Sequence, residues 1–286
     1  MPQCINPIRV RDEFGCYRFV PCGKCAYCLS RKHQQWIFRL QQESLHSKCT
    51  FVITLTYADE FLPLDNDGYA HLCKSDIQLY MRKLRKLFKG KKIRYFIVGE
   101  YSPTNFRPHY HGIIFFPNDY LTLDEFYMNS FEAWRKSEKF THRPDITSGE
   151  AINYVAKYVQ KLMEVPEFLT PPFALMSRKP GIGSRYLFDE NGDYRKEVYQ
   201  FHKFYKRAYS VIPGGAKVCL PRYYKDTIFS KTDKEIIRLE NLELHYPRAF
   251  ELIEKLGRDR GAKQYFQEYE DFKKRQLNVY KNKRKL

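Results

Sequence analysis

The order strand, helix, strand, strand, helix predicts an α+β fold: an antiparallel sheet with helices packed on it, as in a ferredoxin-like or RNA-recognition-like sandwich, plus a helical C-terminal extension. Three observations carry this. The runs FVITLTY (51–57), KIRYFIVGE (92–100) and HYHGIIFF (109–116) are β-branched and aromatic, segments after the first and the third repeat their apolar residues at helical spacing, and the chain is charged and helix-forming from about Lys231. In chain order, Cys22 to Cys28 form a knuckle, and a polar helical pattern runs from about Leu29 to Lys48. FVITLTY reads as a buried strand, and the loop after it carries the turn residues Pro63, Asp65, Asn66 and Gly68. Ser75 caps a basic amphipathic helix with Ile77, Tyr80, Leu84 and Leu87 on one stripe and Gly90 as its stop. Two strands follow, then helices at about Thr122 to Ser137 and Gly149 to Met163. Beyond Pro166 the pattern loosens through PPFALMSRKPGIGSRY. The expected organisation is 1–48 (knuckle and leading helix), 49–225 (core and its continuation) and 226–286 (basic helical extension).

Composition narrows the partners. The 286 residues are 43% hydrophobic and 16% aromatic, enough for one sizeable core. Fifty Lys and Arg against thirty-three Asp and Glu leave a net charge of +17, which favours a polyanion. Nucleic acid is preferred over a membrane, because no apolar run approaches a spanning length and the N-terminus lacks a signal-peptide core. A cytoplasmic location is therefore expected.

His109 and His111 would project to one strand face with Tyr110 on the other, so both imidazoles could address a single point. A metal pair and a hydrogen-bonded histidine pair are both open at this stage. A simple antiparallel register sets Glu100 opposite His109, and two imidazoles with a carboxylate would then leave positions open for substrate oxygens. On the helix from Glu150, Ile152, Val155, Val159 and Leu162 share one stripe. Tyr154, Lys157, Tyr158 and Lys161 share the opposite one, the two tyrosines about one turn, roughly 6 Å, apart.

FVITLTY, RPHYHG and YVAKYVQK, in that order, resemble the three motifs of the HUH endonucleases that initiate rolling-circle replication, in their two-tyrosine branch. With VPCGKCAYC and SRKPGIGSRY, the chain is similar to the initiators of gokushovirus-type microviruses, small single-stranded DNA phages. The resemblance runs from about Pro21 to Tyr186. It implies that His109, His111 and Glu100 hold Mg²⁺ or Mn²⁺, and that Tyr154 or Tyr158 attacks a scissile phosphate of single-stranded or melted origin DNA. A 5′ phosphotyrosine link and a free 3′ hydroxyl would result. Lys157 would favour the phenolate, whose ordinary pKa is near 10. Without a GxxxxGK[ST] loop, unwinding and synthesis fall to a host helicase and polymerase in the bacterial cytoplasm. A transposase or plasmid initiator shares this chemistry, and a non-catalytic single-stranded nucleic-acid-binding module is the alternative from another class. Oligomeric state is not legible.

Five of the eight cysteines lie within the first 28 residues. Cys22, Cys25 and Cys28 have C-x₂-C-x₂-C spacing, and Cys4 or Cys16 could complete a tetrahedral Zn²⁺ site; an iron–sulfur cluster and plain reduced thiols remain open. Cys49, Cys73 and Cys219 read as small core residues. GIGSRY, flanked by Arg178, Lys179 and Arg185, is either a backbone approach to phosphate or an ordinary turn. Arg82 and Lys86, in a basic helical stripe, and Lys161 are further candidate DNA contacts, alongside a basic arm from Lys273 to Leu286.

Overall fold

The computed structural model describes residues 4, 8–11, 17–136, 145–146, 149–157, 165–212, 215, 217–245, 247–257, 260–261, 263–265, 267–268 and 271. In chain order the elements are β1 (Ile8–Arg11), β2 (Tyr17–Val20), α1 (Ala26–Leu45), β3 (Cys49–Thr56), α2 (Lys74–Leu87), β4 (Arg94–Tyr101), β5 (Pro108–Phe116) and α3 (Leu123–Ala133). They continue with β6 (Asp145–Ile146), α4 (Gly149–Lys157), β7 (Phe173–Met176), α5 (Lys196–Tyr205), β8 (Tyr209–Val211) and β9 (Lys217–Cys219). The last three are α6 (Arg222–Ile228), α7 (Lys231–His245) and α8 (Pro247–Leu256). Two compact units divide the chain: Ser30–Tyr199 with Val211–Pro221, and Met1–Leu29 with Gln200–Ser210 and Arg222–Leu286. These units interleave in sequence, whereas the expected segments are consecutive.

In the larger unit five strands form one antiparallel sheet in the order β6-β3-β5-β4-β7, with β5 central. Helices cover both faces, which is why β3, β4 and β5 read as near-continuous apolar runs. On one face Phe51, Ile53, Leu55, Ile97, Tyr110 and Ile114 pack with Ile77, Tyr80, Met81 and Leu84 of α2, with Phe126 and Ala133 of α3, and with Trp134. On the other, Phe96, Val98, Ile113 and Phe115 meet Trp36, Ile37 and Leu40 of α1 and Ile152, Val155 and Ala156 of α4.

Several expected details differ. Ser75 does not cap α2: the helix begins at Lys74, Cys73 holds the cap position, and no side chain caps it. The N–H of Cys73 instead donates to the Tyr110 hydroxyl at 2.7 Å. Leu87 is 41% exposed while Met81 is 2% exposed, because the buried stripe advances by three and four residues through Ile77, Tyr80, Met81, Leu84 and Phe88. The leading helix starts at Ala26, three residues before the expected Leu29. The helix expected over about Thr122 to Ser137 runs from Leu123 to Ala133, with Thr122 as its cap, the side chain accepting from the Glu125 N–H at 3.1 Å. The expected continuation of α4 to Met163 and the arm Lys273 to Leu286 lie outside the described residues. The hairpin β1–β2 and the edge strand β7 were not foreseen. Each is four residues long, too short for a strand periodicity to stand out from a loop.

Tyr110 fixes the central strand. Its ring is fully buried, and its hydroxyl lies 3.0 Å from that of Tyr57, which donates to Asp76 at 2.8 Å. Burial holds both phenols well above their usual pKa, so they stay protonated. Two positions on, Gly112 has no side chain for a packing reason: a Cβ there would fall 2.6 Å from Ile97 Cγ1 and 3.1 Å from the Phe96 carbonyl. Tyr110→Phe removes the acceptor of the half-buried Cys73 N–H and breaks the link to Tyr57. It should cost about 1–3 kcal/mol by denaturant unfolding, and a loss near zero would show that the hydroxyl does not hold the strand.

Candidate active site on the central strand

The β4–β5 ladder pairs Glu100 with His109, as the simple register requires, and the β3–β5 ladder pairs Thr54 with His111. His109 and His111 therefore share the α1 and α4 side of the sheet, opposite Tyr110. The carboxylate reaches along the ladder to the second histidine: Glu100 Oε1 lies 3.1 Å from His111 Nε2. On the far side of that ring, Thr54 Oγ1 lies 3.1 Å from Nδ1. Both nitrogens of His111, which is 7% exposed, are thus engaged. His109 is different. Its Nδ1 is buried with no hydrogen-bond partner. Burial depresses its pKa, His111 and Arg107 add to the depression, and Glu100 opposes it. A neutral imidazole with an unspent nitrogen, beside a carboxylate–imidazole pair, is a donor set able to take a divalent cation.

The helix α4 brings the tyrosine. Ile152, Val155 and Ala156 are buried against the sheet, which leaves Tyr154 at the border of the contact, 48% exposed. Its ring centroid is 5.7 Å from that of His111, and the rings meet edge to face at 88°. Lys157 is exposed three residues further along. Tyr158 and Lys161 lie outside the described residues.

Two residues at the site were not singled out from the sequence. Thr54 carried a usable signal, a polar residue in a buried strand on the face that alternation assigns to the histidines. His33 carried none, being one polar residue of a polar helix. Its Nε2 lies 3.5 Å from the Asn153 carbonyl, and burial, with a smaller contribution from Lys157, lowers its pKa.

Other candidates fall elsewhere. Among the described residues, the cysteine, histidine and acidic ligand atoms that gather within 4.8 Å of one another are those of Cys4, Cys22, Cys25 and Cys28. Glu100, His109 and His111 do not close to that spacing. Cys16 lies outside the described residues, and Cys49, Cys73 and Cys219 are half-buried. Arg82 and Lys86 are exposed on α2, the layer against the opposite face of the sheet. Arg178 and Lys179 are exposed after β7, and Arg185 lies half-buried 3.8 Å from Glu190. Between them, the GIGS turn is held from within. Buried Glu43 accepts the Gly183 N–H at 2.7 Å and pairs with buried Arg94, which donates to the Pro180 and Gly181 carbonyls at 3.0 Å each. Gly183 has φ of +78°, a conformation glycine adopts without strain. That N–H serves an internal carboxylate.

Residues 50–163, the span from β3 through α4, match the family described as replication-associated protein ORF2/G2P. The chain is similar to several phage replication-associated proteins. It is 31% identical over 196 residues to the replication-associated protein ORF2 of Spiroplasma virus 4, covering 62% of this chain and 60% of that protein. It is 28% identical to the replication-associated protein VP4 of Bdellovibrio phage phiMH2K, over 78% of this chain and 76% of that one. Against the replication-associated protein ORF4 of Chlamydia phage 1 it is 25% identical, over 73% and 53%. The chain thus spans less than two thirds of the Spiroplasma virus and Chlamydia phage proteins that it matches. Among the described residues, no helix is long and apolar enough to cross a membrane.

The electrostatics of His109 are open to direct measurement. Because its folded pKa lies below the ordinary value near 6.5, the neutral ring favours the folded state, a contribution present above about pH 6.5 and lost as the pH falls. Titration of its ring proton by nuclear magnetic resonance should give a midpoint under 6.5. Glu100→Gln should lower that midpoint further, since the carboxylate is the influence that raises it. A midpoint that rises in the variant would contradict the assignment.

Proposed function

We propose that the chain initiates rolling-circle replication as a metal-dependent HUH endonuclease and strand transferase acting on a single-stranded or melted DNA origin. One observation carries this reading: an exposed tyrosine, Tyr154, stands ring to ring with His111 at the edge of a buried imidazole–carboxylate group. Homology to phage replication-associated proteins supports it independently.

Tyr154 Oη attacks the scissile phosphorus, the bond to the 3′ oxygen breaks, and the 5′ phosphate becomes joined to the tyrosine. The strand leaves with a 3′ hydroxyl for a host polymerase, and a host helicase opens the duplex in the bacterial cytoplasm. Loss of the phenolic proton is helped by the positive charge of Lys157, one turn along α4. Tyr158 is the second nucleophile, needed to rejoin the displaced strand while the first tyrosine still carries DNA. Glu100, His109 and His111 would hold Mg²⁺ or Mn²⁺, and the buried, unpartnered Nδ1 of His109 is the feature that fits such a ligand. Bound there, the cation would polarise the phosphate. Thr54 Oγ1, on Nδ1 of His111, holds the ring with Nε2 toward Glu100; with Nδ1–H donating to that hydroxyl, Nε2 would offer its lone pair to the cation. The surplus of basic side chains supplies backbone contacts that do not depend on sequence.

Full-length protein incubated with Mn²⁺ and a labelled origin oligonucleotide should form an adduct that survives denaturation and maps to Tyr154 or Tyr158. His111→Ala should lower its yield about 100-fold or more while DNA affinity changes by less than about threefold, since phosphate contacts elsewhere supply the binding. Thr54→Val should weaken Mn²⁺ binding about tenfold by calorimetry. The mechanism is wrong if the Tyr154→Phe, Tyr158→Phe double variant still forms the adduct, or if cleavage persists in excess chelator.

A further inference from the structure

We propose that Cys4, Cys22, Cys25 and Cys28 bind one Zn²⁺ ion as a tetrathiolate site that staples the N-terminal hairpin to the start of α1. All four Sγ atoms lie within 4.8 Å of one another. The Cys22 and Cys28 sulfurs are 4.0 Å apart and those of Cys4 and Cys25 are 3.8 Å apart. Four Zn–S bonds of about 2.3 Å at tetrahedral angles separate sulfurs by about 3.8 Å, so these thiols already sit at the spacing of a zinc shell. They are not joined as disulfides, which would need S–S of about 2.05 Å. A multinuclear iron–sulfur cluster interposes several iron and sulfide atoms between its cysteines, so it demands wider spacing than this.

A second observation is independent of the sulfur spacing. Backbone N–H groups aim at the sulfurs: Lys24 and Cys25 donate to Cys22 Sγ at 3.4 and 3.3 Å, and Cys22 donates to Cys4 Sγ at 3.2 Å. A neutral thiol is a weak acceptor, whereas a thiolate rewards such donors. The turn that aims them passes through Gly23 at φ +77°, where a side chain would be strained. Cys28 stands in the first turn of α1.

The hairpin explains why Cys4 belongs to the set although 17 residues separate it from the C-x₂-C-x₂-C run. Ile8 pairs with Val20 and Arg11 with Tyr17, and this antiparallel register is consistent with Cys4, four residues ahead of β1, lying beside Cys22, two residues past β2. A two-stranded hairpin of four-residue strands is not stable alone, and a metal whose binding is coupled to folding stabilises it.

The test uses the full chain, purified without a metal-binding tag. Elemental analysis should find about one zinc per chain, released together with four thiols when a mercurial titrates them. Cobalt(II) exchanged into the site should show thiolate-to-metal charge-transfer absorption of a four-sulfur shell. Cys4→Ser should lower zinc affinity at least about tenfold and reduce that absorption, while Cys16→Ser and Cys219→Ser should leave both unchanged. Stoichiometric iron, the absence of bound zinc, or loss of metal in Cys16→Ser but not in Cys4→Ser would overturn the assignment. Should Cys4→Ser fail to fold, the cobalt spectrum and thiol release of the unmodified chain decide the matter: a spectrum without thiolate bands rejects the site.

Discussion

The candidate site depends on the burial of Tyr110. Its neighbours on β5, His109 and His111, are held on the opposite face only as long as this ring stays in the core between the sheet and α2. A strand has a period of two, so a slip of one residue would send Tyr110 into the site and both histidines into the apolar core. The hydroxyl makes such a slip costly, because it is tied to the start of α2 through the Cys73 N–H and to Asp76 through Tyr57. Packing on one face thereby sets the chemistry on the other.

The histidines then diverge because their surroundings differ. His111 lies between Thr54 and Glu100, with both ring nitrogens engaged and its orientation fixed by two strands. His109 is nearer the strand end, where Glu100 faces it in register but contacts the other ring. An unpartnered buried nitrogen is costly in a folded protein. Its persistence beside a carboxylate and a second imidazole is what a ligand position looks like before the ligand. Glu43 and Arg94 show the opposite case, a buried ion pair whose hydrogen bonds are directed to the chain itself and whose role is to hold the turn at Gly183.

Sequence alone determined the features that follow from local periodicity. The three long strands, most of the buried stripe of α2, the placing of Ile152 and Val155 on the buried side of α4, the shared face of His109 and His111 and the pairing of Glu100 with His109 all follow from alternation, helical spacing and a short connector. What only the tertiary structure decided were relations between segments distant in the chain. That Glu100 contacts His111 rather than its register partner, that Thr54 orients His111, that Tyr154 meets His111 edge-on and that Cys4 joins the knuckle each depend on side-chain reach across strands or on a hairpin of four-residue strands. Glycine 183 illustrates the limit: its sequence suited a phosphate loop or a turn equally, and only the fold, by setting the carboxylate of residue 43 against its N–H, supplied the partner. Local patterns decide which way a side chain faces, and the partner it finds there depends on contacts that no local pattern encodes.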